Sequence, residues 1–180
     1  MADIMTSEER SRVMSRIRSS GTRPEVLLRR HLWSVGYRYR INDKRLPGTP
    51  DVVLPKYGTV IFVHGCFWHG HDCKHFRLPK TNPDFWKSKI ETNRDRDEKV
   101  WRSLEAMGWS VIVVWECELG KDRVDGTLSR VISEIARNGE TRERLARERR
   151  DARRTDLAER KAAAAKRAAL VDEIRNKYST

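Results

Sequence analysis

Residues 50–65 read PDVVLPKYGTVIFVHG, two short apolar runs separated by Pro55, Lys56, Tyr57 and Gly58. β-Branched residues dominate both runs, and the Pro and Gly between them supply the fixed and the permissive torsions of a tight reversal. The pattern predicts two strands joined as a hairpin. A third run of the same kind, SVIVVWE, occupies residues 110–116. Apolar residues follow one another in these runs instead of alternating, so both faces of the strands are expected to be buried. Between the second and third runs lies a long polar segment. It opens at NPDFW (82–86), carries Ile90, Val100, Leu104 and Met107 at roughly helical spacing, and stops at Gly108. Strand, helix, strand predicts an α/β sandwich with a mixed sheet.

Working outward, Thr6-x-x-Glu9 and Thr22-x-x-Glu25 both read as capping boxes, the second followed by Pro24 at the start of a helix. The helix after Thr22 is expected to turn Leu27, Leu28, Leu32 and Val35 toward the core and to end near Gly36. Residues 124–137 predict one more amphipathic helix. The composition then changes. From Gly139 to Thr180 there are thirteen Lys and Arg, eight Asp and Glu, and almost no large apolar residue before Leu170. The expected organisation is one domain over residues 1–138 and a basic extension over 139–180, either a solvated helix or disordered.

Charge narrows the class of partner. The chain of 180 residues has 38 Lys and Arg against 26 Asp and Glu, a formal charge of +12, and a pI near 10.1. Of that charge, +7 falls on residues 1–138, so the domain is basic without its tail and a polyanion, nucleic acid first, is the expected partner. No apolar run is long enough to span a bilayer, and the first twenty residues are too charged for a signal peptide, so a soluble cytoplasmic protein is expected.

Eleven residues, VHGCFWHGHDC (63–73), hold three of the five histidines and two of the three cysteines. An odd number of cysteines beside histidines fits zinc or reduced thiols better than a disulfide framework. Cys66 follows one strand and Cys117 another. If those strands run parallel, their C-terminal ends bring both sulfurs together, and His71 and Cys73, two apart in an extended segment, complete a tetrahedron. The best zinc set is therefore Cys66, His71, Cys73 and Cys117; His69, at C-x-x-H spacing from Cys66, is the alternative fourth ligand. Four protein ligands close the coordination sphere, which makes such a metal structural.

Pro50-Asp51 before one strand, with a polar residue at the end of its hairpin partner, resembles the PD-(D/E)xK nuclease layout. Where that layout has a second carboxylate and a lysine, this chain has Phe62-Val63-His64. Asp51 would then hold magnesium with a backbone carbonyl, water and DNA phosphates, an arrangement magnesium tolerates because it keeps several waters. The alternative is a carboxylate that merely caps the start of a strand. His64 and His69 remain once zinc takes His71, and phosphodiester hydrolysis needs an activated water and charge stabilisation on the leaving oxygen. Neutral imidazole does the first and imidazolium the second.

The segments MSRIRSSGTRPEVLLRRHLWSVGYRYR, LPGTPDVVLPKYGTVIFVHGCFWHGHDC, FWKSKIETNRDRDEKVWRSLEAMGW and VIVVWECEL, in this order, resemble the very short patch repair endonucleases of bacteria, over about residues 6 to 138. The resemblance implies a restriction-endonuclease-like fold, magnesium and zinc. It also implies an activity that nicks just 5′ of the thymine in T:G mispairs left by deaminated 5-methylcytosine. It gives Asp51 to magnesium, His69 the role of general base, His64 a role at the phosphate and Glu25 a contribution from the N-terminal region. That pattern often has Thr where this chain has Val63, whose carbonyl would be the magnesium ligand. Double-stranded DNA is the implied substrate of a monomeric enzyme, with mismatch-repair proteins and a cytosine-5 methyltransferase as implied partners.

Phe67 and Trp68 interrupt the zinc ligands and Trp86 stands at a helix start. Flat side chains inserted between base pairs unstack a duplex, most cheaply at a mispair, so these three are expected to intercalate, while Trp33, Trp101 and Trp109 are expected in the core. The competing readings are a restriction-like nuclease with another target and a zinc-stabilised DNA-binding module without catalysis.

Overall fold

The computed structural model describes residues 8, 9, 12 and 20–177, with 168–177 by backbone alone; of the helix expected to start at Thr6, Glu8, Glu9 and Arg12 are helical and the rest, Thr6 included, lies outside the described residues. Helix α1 (Arg23–Ser34) is entered through Glu25. Its carboxylate accepts the N–H of Gly21 at 2.8 Å and of Thr22 at 3.3 Å, and the Thr22 hydroxyl at 2.8 Å. These are amides a helix start otherwise leaves unsatisfied. The helix ends where Gly36 takes φ +94° and the Tyr37 N–H reaches the Leu32 carbonyl at 2.9 Å, a turn that only glycine enters without strain. The apolar face of α1 is narrower than its sequence suggests. Leu28 and Leu32 are fully buried, whereas Leu27 is 37% and Val35 48% exposed.

The hairpin forms as expected. Strand β1 (Val52–Leu54) runs antiparallel to β2 (Thr59–His64), with a 3₁₀ turn at Pro55–Tyr57 and Gly58 at φ +60° between them. Strand β3 (Ser110–Trp115) lies parallel to β2 in the register Thr59↔Ser110 to His64↔Trp115, so the sheet is mixed and β2 is central. Arg40 pairs with Val53 on the outer edge of β1.

Helices cover both faces. Val52, Leu54, Ile61, Ile112 and Val114 pack against Leu28 and Leu32 of α1 and against Leu128, Val131 and Ile135 of α3 (Val124–Lys177). Val53, Val60 and Phe62 pack against Leu104, Val100 and Trp101 of α2 (Pro83–Ala106). Each such fully buried aliphatic contributes about 1.5–3 kcal/mol. The apolar runs of β1 and β2 thus have the two-sided burial expected of them, whereas β3 buries Ile112 and Val114 on one face and leaves Val111, Val113 and Trp115 half-buried on the other. Of the residues expected at the core, Met107 is exposed, and so is Trp33, which lies under the Arg38 guanidinium at 3.9 Å. Trp101 and Trp109 pack against the core as expected.

The chain divides into two compact units, Met1–Gly139 and Glu140–Thr180. The first holds the sheet, α1 and α2. The second is helical through residue 177, and every side chain described from 140 to 167 is exposed. Among the described residues no helix is long and apolar enough to cross a membrane.

Candidate functional site

The parallel pairing of β2 and β3 brings two strand ends to one edge of the sheet, and the segment from Gly65 to Cys73 is folded over that edge. The Cys66 N–H donates to the Glu116 carboxylate at 2.8 Å, and the Asn93 amide of α2 donates to the Trp68 carbonyl at 2.8 Å. The His71 N–H closes a turn on the Cys66 carbonyl at 2.9 Å. Gly70, at φ +61°, is the pivot; a Cβ there would meet Ile90 Cγ2 at 2.6 Å. The turn directs His69 and His71 to different sites.

His71 joins the cysteines. Cys66, His71, Cys73 and Cys117 place their donor atoms within 4.8 Å of one another, with His71 Nδ1 3.4 Å from both Cys66 Sγ and Cys117 Sγ. The imidazole is stacked on Trp115 at 4.2 Å and 4°, so its orientation is held by packing as well as by the sulfurs. Burial pushes the Cys66 thiol well above its ordinary range. Three thiols and one imidazole so close together form a set that can hold a metal ion.

His69 turns instead into a cleft of about 1060 Å³ that also receives Glu25, Asp51, Val63, His64, Asp97 and Trp101. Asp51 precedes β1, and its Oδ2 accepts the Val63 N–H at 2.7 Å; Oδ1 has no hydrogen bond among the described residues. Burial, with the Glu25 carboxylate nearby, raises Asp51 from 3.8 to about 6 against the lowering effects of the Val63 N–H, Arg29 and His69. Arg29 ties this corner together. Its Nη2 donates to Glu25 at 2.9 Å, to the Asp51 carbonyl at 3.1 Å and to Asn42 Oδ1 at 3.3 Å. Glu25 therefore caps α1 and faces the cleft at once. The Val63 side chain packs into the apolar layer around Ile61 and Val114, and its backbone N–H is what meets Asp51.

His64 ends β2, buried, and its ring is stacked on His69 at 3.7 Å and 13°. Burial and the neighbouring His69 lower it to about 4, so at neutral pH it is an uncharged imidazole. Asp97 of α2 meets both histidines, touching His69 Nδ1 through Oδ2 and lying 4.0 Å from His64 Nδ1. Burial alone would raise the Asp97 carboxyl; its bond to His69 and the charges around it win, and it lies below the ordinary range. An ionised carboxylate accepts only from an N–H, so Nδ1 of His69 carries a proton, and Nε2 is the ring nitrogen left to face the cleft as donor or acceptor. His64, His69 and Asp97 are a second group whose donor atoms fall within 4.8 Å of one another, and Asp51 belongs to neither group.

The aromatic residues gather as well. Phe67 and Trp68 are 5.2 Å apart, and Trp86 lies 5.2 Å from Phe67 and 6.2 Å from Trp68, each ring half-buried against the others. Phe85, 59% exposed and 5.3 Å from Trp86, extends this cluster and was not singled out from the sequence. Neither were Asp97, Asn93 or Arg29. A signal for the first two exists. Ile90, Asn93, Asp97 and Leu104 form the buried stripe of α2, so two polar residues occupy positions where helical periodicity calls for apolar ones.

The chain matches the family model described as DNA mismatch endonuclease Vsr over residues 2–75. It is 52% identical over 136 residues to the type II nicking enzyme V.NmeAIP of Neisseria meningitidis, an alignment covering 75% of this chain and 97% of that one. To the type II nicking enzyme V.XorIIP of Xanthomonas oryzae it is 52% identical over 119 residues, covering 66% and 88%. To the DNA mismatch endonuclease Vsr of Escherichia coli it is 42% identical over 125 residues, covering 69% and 80%.

Proposed function

The chain belongs to the very short patch repair (Vsr) endonuclease family and is a DNA endonuclease, and from that premise we propose that it nicks duplex DNA 5′ of the thymine in T:G mispairs arising from deaminated 5-methylcytosine. The observation that carries the reading is a single cleft that receives both Asp51 and a His69 whose Nδ1 is held by Asp97. The E. coli relative is named a mismatch endonuclease, which supports the choice of substrate. The α/β/α layering supports a restriction-endonuclease-like sandwich, with residues 1–138 as the nuclease domain and 139–180 as an extension.

Magnesium fits the Asp51 corner. A half-buried carboxylate beside Glu25, with one oxygen open, is a site where the fold has gathered negative charge that a cation offsets. Asp51 and the Val63 carbonyl would hold the ion, which when bound supplies Lewis-acid stabilisation at the scissile phosphate. The remaining work falls to the chain. Nε2 of His69 takes the proton of the attacking water, and Asp97 keeps that imidazole in the right tautomer and stabilises it once charged. His64, held neutral, positions His69 by stacking and offers a hydrogen bond at the phosphate. Arg29 sets Glu25 and the Asp51 backbone in relation to each other. Zinc suits the thiol-rich set of Cys66, His71, Cys73 and Cys117, and its role is to fasten the segment that presents His69. Phe67, Trp68 and Trp86 enter the duplex at the mispair. Mismatch-repair proteins and a cytosine-5 methyltransferase are its proposed partners, and a monomer in the bacterial cytoplasm its proposed state.

The test is nicking of a duplex with one T:G pair in a methylation-site context beside its T:A control, with and without magnesium. Cleavage confined to T:G with magnesium supports the proposal. The V.NmeAIP and V.XorIIP relatives are named type II nicking enzymes, and equal cleavage of both duplexes would turn the reading to a nuclease with another target. Mismatch binding without cleavage in magnesium would turn it to a binding module.

A further inference from the structure

Within the unit from Glu140 onward the charges are sorted. At 3.6 residues per turn, Arg142, Arg149, Arg153, Arg160 and Arg167 fall within about 40° of arc on one side of the helix, and all five are exposed. The row is roughly 37 Å long, or about eleven base pairs of duplex. Of the carboxylates between 140 and 167, Glu140, Glu148 and Asp151 lie on the other half of the helix and Glu143 and Glu159 on its two flanks, about 100° from the row. Asp156 alone adjoins the row, paired with Arg160 at 3.0 Å.

An exposed helix that is polar all round is ordinarily held by charge pairs three or four residues apart. This row forgoes them. Arg142, Arg149 and Arg167 have no carboxylate at either spacing, and Arg149 and Arg153 set two like charges four apart, which disfavours the helix. Among the described residues only Arg160 of the five makes an ion pair. A row of guanidinium groups left unneutralised by its own helix fits an extended polyanion, and the substrate of this enzyme is one. The V.NmeAIP relative is matched over 97% of its length by 136 residues, so it carries no extension of this size.

We propose that the row from Arg142 to Arg167 binds the phosphates of duplex DNA, independent of sequence, as a second point of attachment added to the nuclease unit. The inference rests on the reading of the chain as a DNA endonuclease. Phosphate contacts carry no base information, so the row strengthens binding of T:G and T:A duplexes alike.

The experiment uses the full chain in magnesium-free buffer on a duplex of about 40 base pairs, with affinity measured between about 50 and 200 mM salt. Three variants are compared with the unsubstituted protein. One carries Arg149→Gln, Arg153→Gln and Arg160→Gln; one carries Arg144→Gln, Arg147→Gln and Lys166→Gln, cations that lie off the row; one carries Lys at the three row positions. Gln, Lys and Arg are similar helix formers. For every phosphate that the protein no longer neutralises, the slope of log affinity against log salt falls by about 0.9. The row variant should be shallower by about 2 to 3, with the off-row and Lys variants unchanged and the nicking rate at saturating DNA the same in all four. Equal slopes in all proteins, an equal loss in both Gln variants, or a loss in the Lys variant matching that of the row variant would each overturn the proposal. Failure of every protein, the unsubstituted one included, to nick T:G or T:A duplex with magnesium sinks the endonuclease reading instead and leaves the slope comparison intact.

Discussion

Replacing Asp51 by Asn should abolish nicking and, without magnesium, make the protein more stable at neutral pH. The two effects share a cause. Asn keeps the shape and an oxygen for the Val63 N–H, which Asp51 accepts at 2.7 Å, so the substitution removes charge with little change in packing. Raising the carboxyl from 3.8 to about 6 corresponds to about 3 kcal/mol between its protonation states. Asp51 is partly open to the cleft, so about 1–3 kcal/mol is the expected range. The sign follows from proton binding. Between pH 4 and 6 the folded protein holds the Asp51 proton and the unfolded chain has lost it, so wild-type stability falls as pH rises through that window and stays low above it. The variant has no such loss. Urea unfolding of both proteins, dialysed against magnesium-free buffer without a chelator strong enough to strip zinc, should favour the variant by about 1–3 kcal/mol at about pH 7. The gap should close near pH 4, and titrations of the remaining groups cancel in the difference. Magnesium should then stabilise wild type and leave the variant unmoved, by mass action on a site only one of them has. A variant less stable than wild type at pH 7, or a gap that is the same at both pH values, would refute the account of Asp51 as a charge buried at a cost that the metal offsets.

Elemental analysis of purified protein should find one zinc per chain, and His71→Ala should lower zinc content and stability while His69→Ala keeps the metal and loses about 10²-fold or more in nicking rate; the reverse result exchanges the two assignments. Asp97→Asn should reduce nicking by about 10-fold or more with zinc and mismatch affinity retained, because Asn offers His69 an amide that no longer stabilises its charged form; an unchanged rate removes Asp97 from the mechanism. Gly70→Ala should destabilise the protein by about 1–3 kcal/mol in urea, since it forces an L residue to positive φ and drives a Cβ against Ile90, which lies 2.6 Å from that position.

The mixed sheet was legible because β1 and β2 are buried on both faces, two-sided burial writes itself as an unbroken apolar run, and β3, half-buried on one face, is written the same way. The helix faces were read less well for a physical reason. Leu27 and Val35 continue the periodic stripe of α1, yet a face meets the sheet only over the width of its contact, and both side chains lie beyond it, exposed. The opposite failure occurred on α2, where Asn93 and Asp97 occupy the buried stripe as polar groups. Apolar periodicity cannot register a site that replaces apolar residues at the positions it monitors. Asp97 is sensible there only when its partner is known, and His69 comes from another segment.

The histidines of the Gly65–Cys73 segment make the same point more sharply. In extended chain, residues two apart face the same way, so His69, His71 and Cys73 would all point to one side, and spacing alone left His69 open as a zinc ligand. Gly70 at φ +61° breaks that alternation. It lets neighbouring histidines serve different centres, one beside the thiols and one against Asp97. The nuclease chemistry proposed here needs both: a histidine free to move protons, and a second close by in sequence that anchors the same loop. A Cβ at position 70 would bring Ile90 of α2 into conflict with the turn, so the packing that holds the loop against the helix also demands the residue that reverses it. That coupling is why a methyl group at Gly70, which touches neither proposed metal, is expected to cost stability and, by moving His69 from Asp97, nicking rate together.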